Sequence, residues 1–220
     1  SSAYRAPQIN ELYRLQKEQE IADVRPEQLD SIEAGLRYQT GQWFAEASLY
    51  KMDKDQVIVK DSDSFIVNDG ETTHHGVEWQ LRHKLSNNWQ LSTAGSWAVH
   101  EYSYARLYGD VNIDGNDIDT APRWQGSAHA LYQPTERTSV EIEWIYLGKY
   151  FLDPQNAHQY AGHNVINVRA QQNYTNWELA AQLTNLTDRR IADRADYGFG
   201  SYRYFVGEGR GVSLEVKRFF

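Results

Sequence analysis

Apolar and polar residues alternate along most of the chain, and apolar residues at helical spacing are scarce. In residues 77–85, for example, Val77, Trp79 and Leu81 share one face, and charged or amide residues occupy the other. This period of two predicts β-strands with one apolar and one polar face. Nine strands of about 8–12 residues each are predicted, around residues 32–38, 43–49, 77–85, 89–99, 124–132, 140–146, 166–170, 177–183 and 212–216.

The connections between these strands alternate in length. Short turns, rich in Gly, Asn, Pro, Ser and Thr, are predicted at 40–41, 86–88, 134–137 and 175–176. Long polar stretches are predicted at about 53–72, 103–122, 150–162 and 187–208. A propeller blade would place four short strands in a similar length, so the unit of two long strands disfavours a propeller.

Aromatic residues collect at the short-turn end of the predicted strands, always in the apolar phase. They are Tyr38, Trp43, Trp89, Tyr132, Tyr174, Trp177 and Phe220. An apolar band bordered by such rings is typical of a transmembrane β-barrel, whose outer face contacts lipid and whose inner face contacts water. In a soluble, half-exposed sheet these rings would fall anywhere along a strand. The predicted fold class is therefore all-β, an antiparallel transmembrane β-barrel.

Composition narrows the function classes. The 220 residues carry 22 basic and 30 acidic side chains, a net charge of −8, which argues against binding nucleic acid. No apolar run approaches the roughly 20 residues of a membrane helix. The absence of cysteine excludes disulfides and thiolate chemistry. The first ten residues have neither a basic start nor an apolar core, so no signal peptide is expected.

The predicted polar face is too rich in charge for a small barrel filled by side chains. Its charged residues are Glu33, Arg37, Glu46, Glu78, Arg82, Lys84, Arg123, Glu141, Glu143, Arg169 and Glu178. Nine strands with free edges would also leave two backbone ladders unpaired. We therefore expect the chain to be the C-terminal portion of a larger barrel whose other strands precede Ser1.

Five motifs, spread in order over the chain, resemble those of TonB-dependent outer-membrane receptors. They are AYRAPQINELY (3–13), RPEQLDSIEAGLRY (25–38), GVEWQL (76–81), NLTDRR (185–190) and GEGRGVSLEVKRFF (207–220). Two positions depart from the family pattern: Ile191 replaces an aromatic residue, and Gly209 stands where proline is common. These departures weaken the assignment to a subfamily, not the resemblance to the family.

The resemblance implies a specific architecture and activity. It implies a 22-stranded barrel of which residues 1–220 hold about the last nine strands, while the plug domain and the partner-binding box lie outside these residues. The implied activity is uptake of a scarce, bulky nutrient, here a ferric siderophore, across the outer membrane of a Gram-negative bacterium, energised through TonB. Family members also carry cobalamin, haem, other metals or glycans, so the substrate stays open. No catalysis and no required cofactor are implied.

The chain end carries a second implication of the resemblance. Val212, Leu214, Val216 and Phe220 share a face, and a terminal aromatic residue of this kind is recognised by the barrel-assembly machinery. Arg218 interrupts the apolar phase, and we expect it at the level of the aromatic rings, where a long side chain reaches polar surroundings.

An acidic stretch in the second long loop is a candidate calcium site. Asp110, Asn112, Asp114 and Asn116 place oxygen ligands around a glycine turn, as in the first half of a calcium loop. Ala121 occupies the twelfth position, where the bidentate carboxylate belongs. Two interpretations of the 110–121 loop stay open: it binds a structural Ca²⁺, or it is a solvated acidic turn.

Five residues are candidate ligand contacts: His100, Tyr102, Tyr104, Tyr197 and Arg203. Tyr and Arg suit a large anionic chelate because they combine stacking with charge-assisted hydrogen bonds. By strand parity from Gln90, the first three would face the barrel interior. The alternative for such residues is interface anchoring, with arginine pairing to lipopolysaccharide.

Two other function classes stay open. One is a passive porin or a structural, adhesive barrel in the outer membrane. The other is a soluble all-β carbohydrate-binding module. The seven histidines show neither a helical i, i+4 pair nor a closed ligand set, so the sequence predicts no histidine metal site.

Overall fold

The computed structural model describes residues 1–13, 24–60 and 66–220. These contain one short helix, α1 (Ile9–Tyr13), and sixteen strands. The strands are β1 (Ser2–Arg5), β2 (Glu27–Gln39), β3 (Trp43–Lys60), β4 (Ile66–Lys84), β5 (Trp89–Tyr102), β6 (Leu107–Tyr108), β7 (Val111–Asn112), β8 (Trp124–Thr135), β9 (Thr138–Leu147), β10 (Tyr150–Phe151), β11 (Gln159–Tyr160), β12 (His163–Asn173), β13 (Trp177–Thr184), β14 (Ala192–Gly198), β15 (Ser201–Val206) and β16 (Gly211–Arg218).

Ten of these strands form one antiparallel sheet. Their order is β1-β2-β3-β4-β5-β8-β9-β12-β13-β16, so each strand pairs with the next long strand along the chain. The nine predicted strands are all present, and the all-β antiparallel prediction is confirmed. The short strand β1 was not predicted, because its four residues show too few alternations to be read as a strand.

The long connections differ from the prediction. Residues 53–72 were expected to form a polar loop, which is wrong: β3 continues to Lys60 and β4 starts at Ile66. Residues 61–65 lie outside the described part of the chain. The other three long connections carry the small hairpins β6–β7, β10–β11 and β14–β15. These three hairpins lie outside the large sheet and its apolar band. Their residues therefore do not alternate between an apolar and a polar face, and the sequence does not mark them as strands.

The four short turns are confirmed, and side-chain oxygens close two of them. Thr40 Oγ1 accepts a hydrogen bond from the Trp43 N–H at 3.0 Å, and Ser86 Oγ accepts one from the Trp89 N–H at 3.2 Å. Short polar side chains that bind nearby backbone in this way favour turns over continued strands.

The register gives the sheet one apolar and one polar face. Neighbouring partners on one face run Val212, Leu183, Val168, Ile142, Ala130 and Leu91 across six strands. One residue further along each strand pair, the opposite face runs mostly polar, through Ser213, Gln182, Arg169, Glu141, Leu131 and Gln90. Cross-strand pairing therefore turns a local alternation into two continuous surfaces.

The apolar face has no protein packed against it in the described residues. Leu36, Val212 and Leu214 are 76%, 73% and 79% exposed. The largest fully buried side chains, Ile113, Leu152 and Asn185, lie outside the strands of the large sheet. Such an expanse of bare apolar surface is unfavourable in water and suits contact with lipid.

Aromatic residues mark the short-turn end of the apolar face, as predicted. Trp89 stacks on Tyr132 with ring centroids 4.6 Å apart. The Arg218 guanidinium lies 5.3 Å from the ring centre of Trp177 and 4.8 Å from that of Phe220. The expected position of Arg218 among these rings is confirmed, and cation–π contact holds its charge there.

A buried carboxylate ties the first strands together at the end of β2 away from its turn. Glu27 is 4% exposed and accepts hydrogen bonds from Arg5 at 2.7 and 2.6 Å and from the Ile58 N–H at 2.9 Å. The Lys54 ammonium lies 3.5 Å away. The Arg5 hydrogen bonds outweigh the effect of burial and, with the Ile58 N–H and the Lys54 charge, lower the pKa of Glu27 to about 2.

The short helix α1 is the one helix in the described residues, and none there is long and apolar enough to cross a membrane.

Candidate functional site

Three long connections pack together beyond one end of the sheet; we call residues 103–122, 150–162 and 187–208 the loop cap. The first two are joined by Asn156, whose side chain accepts from the Asp117 N–H and donates to the Asp117 carbonyl, both at 2.8 Å. The Asn116 amide donates to the Pro154 carbonyl at 2.8 Å. Each of these bonds joins the first connection to the second.

Two tyrosines join the second and third connections. The Tyr150 hydroxyl accepts a hydrogen bond from the Ala195 N–H at 2.9 Å, and the Tyr160 hydroxyl accepts one from the Ala192 N–H at 3.1 Å. Tyr150, Leu152, Ala192 and Ala195 form a small buried cluster beneath these bonds. The hairpin β14–β15 is therefore fixed against β10–β11 by polar and apolar contacts together.

The first candidate group, His100, Tyr102 and Tyr104, lies at the outer end of β5. His100 and Tyr102 share the polar phase of β5 with Gln90, as parity predicted. Tyr104 lies two residues beyond the last strand residue, so strand parity does not apply to it. The rings of Tyr102 and Tyr104 meet edge to face, with centroids 6.2 Å apart.

The two tyrosine hydroxyls differ in their partners. Tyr102 donates to Asp119 Oδ1 at 2.7 Å, and burial, with the Asp119 charge, raises the pKa of Tyr102. The Tyr104 hydroxyl is buried and has no hydrogen-bond partner in the described part of the chain. Burial raises the pKa of Tyr104 to about 12, and the Arg106 guanidinium lies 5.7 Å from its ring centre. The Tyr104 hydroxyl is therefore an unsatisfied buried donor among the described residues.

The second candidate group, Tyr197 and Arg203, lies on the hairpin β14–β15. Tyr197 stacks on His158 with centroids 3.5 Å apart and planes 10° from parallel. Arg203 forms an ion pair with the mostly buried Asp196 and lies over the Phe199 ring. Both side chains thus have structural contacts of their own within the loop cap.

The candidate calcium residues take part in the loop backbone. Asn112 Oδ1 accepts hydrogen bonds from the Arg106 and Asp114 N–H groups at 3.1 and 3.3 Å, and the Asn116 amide binds Pro154. Gly115 adopts φ +80°, which permits the turn. No group of three or more His, Asp or Glu residues suited to a metal is found among the residues described. The calcium site stays a prediction.

A recess of about 1000 Å³ lies against the inner face of the sheet. Its lining includes Glu46, Glu78, Gln80, Gln125, Glu143 and His163. Asp193 of the loop cap lines the same recess, so the cap and the inner face border one space. Trp79, Ile145, Tyr146 and Leu147 also line the recess, so it offers acidic and amide groups together with apolar surface.

Two arrangements were beyond sequence reasoning. His74 meets His100 across β4 and β5, with the two Nδ1 atoms 2.8 Å apart. Tyr202 and Tyr204, half exposed, lie parallel on β15 with centroids 6.2 Å apart. The register of β4 and β5 brings the two histidines together, and the β14–β15 hairpin makes residues 201–206 a strand on which the two tyrosines share a face.

These features define the class of protein: a membrane β-barrel wall with an apolar outer face, a polar inner face, short turns at one end and long loops at the other. A family model for the β-barrel of TonB-dependent receptor-like proteins matches residues 1–186. The chain belongs to this family. The family consists of receptors and transporters of the outer membrane, not enzymes. No curated protein sequence matches the chain.

Solved structures share the fold. The ferric yersiniabactin uptake receptor FyuA of Yersinia pestis is 18% identical with a TM-score of 0.77, over 90% of this chain and 31% of that one. The siderophore receptor PiuA of Acinetobacter baumannii is 20% identical with a TM-score of 0.76, over 89% and 29%. The copper transporter OprC is 19% identical with a TM-score of 0.80, over 100% and 36%. The chain thus spans about a third of these structures.

Proposed function

We propose that residues 1–220 are the C-terminal portion of a 22-stranded outer-membrane receptor that takes up a ferric siderophore in a Gram-negative bacterium. In this proposal, earlier strands close the barrel, and an N-terminal plug outside these residues couples uptake to TonB. One observation carries the proposal: a recess of about 1000 Å³ on the inner face is lined by charged strand residues and by Asp193 of the loop cap. FyuA and PiuA, which share the fold, are siderophore receptors by name.

The ligand chemistry follows from the loop cap. A ferric siderophore is a bulky, often anionic chelate, and it is recognised by stacking on rings and by charge-assisted hydrogen bonds. Tyr104 contributes an unpaired buried hydroxyl beside the Arg106 guanidinium. His100 and Tyr102 lie next to it on β5, while Tyr197 and Arg203 present rings and charge on the β14–β15 hairpin. We propose these five predicted residues as the contacts of this chain.

The alternatives fit the structure less well. A passive porin would share this wall, and the names of FyuA and PiuA favour a siderophore receptor over it. A soluble carbohydrate-binding module would not leave Leu36 and Leu214 more than three-quarters exposed.

The test uses the intact gene. We expect a deletion strain to grow poorly under iron limitation with the correct siderophore as the sole iron source, and the purified receptor to bind that ferric siderophore. Tyr104→Phe should weaken binding by about tenfold, because one hydrogen bond to a charged ligand is lost. Tyr174→Phe, at the short-turn end, is the matched control. Unchanged growth together with no binding across a panel of ferric siderophores would contradict the proposal.

A further inference from the structure

Two histidines face each other on the inner face of the sheet. His74 of β4 and His100 of β5 are register partners, and their Nδ1 atoms are 2.8 Å apart. The ring centroids are 5.0 Å apart, with the planes tilted by 57°. The pair lies three residues beyond the partners Val77 and Trp97, at the outer end of the sheet. Both side chains are half-buried.

A neighbouring hydroxyl sets the ring tautomer of one partner. The Nε2 atom of His74 lies 2.9 Å from the buried Thr72 hydroxyl. When Nε2 carries the proton and donates to that oxygen, the Nδ1 of His74 presents a lone pair to His100. A metal-binding histidine is oriented by its second ring nitrogen in this way.

Charged and titratable groups lie close to both rings. Lys54 and Asp53 lie near His74, and His75 and Asp117 lie near His100. The two carboxylates add negative charge beside the pair, which favours a dication.

We propose that His74 and His100 form a binding site for a transition-metal dication of tetragonal geometry, Cu²⁺ or Ni²⁺. Two ligand nitrogens at about 2.0 Å from an ion, on adjacent corners of a square plane, lie about 2.8 Å apart, whereas tetrahedral ligands lie about 3.3 Å apart. The observed 2.8 Å separation matches the square plane. Tetragonal nitrogen and oxygen sites favour Cu²⁺ and Ni²⁺.

The site has two protein nitrogens and open positions. No third His, Asp or Glu completes it within the described residues, so water or a chelator atom fills the remaining corners. The proton that lies between the rings of the metal-free pair moves from Nδ1 to Nε2 of His100 when the ion binds, and no proton is released. The site stands on its own geometry and does not depend on the identity of the transported substrate.

The test is a Cu²⁺ titration of the full-length, tag-free protein in detergent at pH 7.5, with bound copper counted and its electron paramagnetic resonance spectrum recorded. We expect His74→Ala and His100→Ala each to bind one Cu²⁺ fewer than wild type, or to bind it at least about tenfold more weakly. The lost signal should be axial, with splitting from two nitrogens.

Matched variants separate the site from general effects. His129→Ala, on the same face but contacting Glu141, should leave copper binding unchanged, and Thr72→Val should weaken it by about tenfold because the ring loses its orienting partner. Circular dichroism confirms that each variant keeps its β-structure. The same number and affinity of copper ions in wild type and His100→Ala overturns the proposal, as does an equal loss in His129→Ala.

Discussion

At the scale of single residues, the buried carboxylate of Glu27 is surrounded by groups that compensate its charge. Glu27 is nearly fully buried, and three groups of opposite or donor character surround it: Arg5, Lys54 and the Ile58 N–H. A buried carboxylate is tolerated when hydrogen bonds and opposite charges replace its water. The AYRAP and RPE motifs supply Arg5 and Glu27, so two distant pieces of the resemblance meet in one ion pair.

Glu27→Gln is expected to destabilise the protein by about 1–3 kcal/mol at pH 7, because Arg5 and Lys54 lose a charged partner. The folded-state pKa of Glu27 is lowered to about 2, so its contribution is complete above the unfolded value of about 4.3 and fades as the pH falls toward 2. Thermal unfolding from pH 7 to pH 3 should show the two proteins converging. Glu136→Gln, in an exposed turn, is the control; a constant difference at every pH would contradict the prediction.

Tyr160→Phe is expected to loosen the β14–β15 hairpin without affecting the large sheet. The substitution removes the acceptor for the Ala192 N–H and the partner of His163 Nδ1 at 2.8 Å. Loss of about 1 kcal/mol should speed amide exchange several-fold in residues 192–198. Hydrogen exchange in the β12–β13 pair serves as the internal reference, and unchanged exchange in 192–198 would show that the bond contributes nothing.

At the scale of elements, the alternation of apolar and polar residues predicted the strands, and the register determines which of their residues meet. The nine long strands follow from residues that alternate within the apolar band, where lipid on one side and water on the other impose the pattern. Above that band the pattern disappears. β3 has 18 residues and rises about 60 Å along its axis, more than a tilted strand needs to cross a bilayer. Its outer part, residues 53–60, does not alternate between apolar and polar residues, so the sequence predicts a loop there.

Contacts between residues of different strands could not be predicted from the sequence either. His74 and His100 are 26 residues apart, and only the β4–β5 register places them face to face. The candidates Tyr102 and Tyr104 were visible as residues, but the buried, unpaired state of the Tyr104 hydroxyl depends on how the loop cap packs.

A charge on the outer face of β16 is expected to be far more harmful than the same charge one residue away. Leu214→Arg should destabilise the inserted protein by about 2–4 kcal/mol, because the residue faces the hydrocarbon. Ser213→Arg places the same side chain on the polar face and should change stability by less than about 1 kcal/mol. Unfolding of the full-length protein in lipid measures both, and equal losses would contradict the assignment of the two faces.

At the scale of the whole molecule, we expect the chain end to matter for assembly and not for stability. Phe220 is fully exposed and contacts the Arg218 guanidinium, so little of the folded structure depends on it. Phe220→Ala is therefore expected to reduce the amount of protein inserted in the outer membrane several-fold while leaving the melting temperature of the inserted fraction unchanged. Phe205→Ala, an exposed ring in the loop cap, is the control. Normal insertion of Phe220→Ala would remove the proposed role in assembly.

The interlocked connections carry a mechanical consequence. Asn156 joins the first segment to the second, and Tyr150 and Tyr160 join the second to the third. A force or a guest that displaces one segment is therefore expected to move the other two with it, in a single cooperative step. A spin label placed on any one of the three would then report the same opening rate.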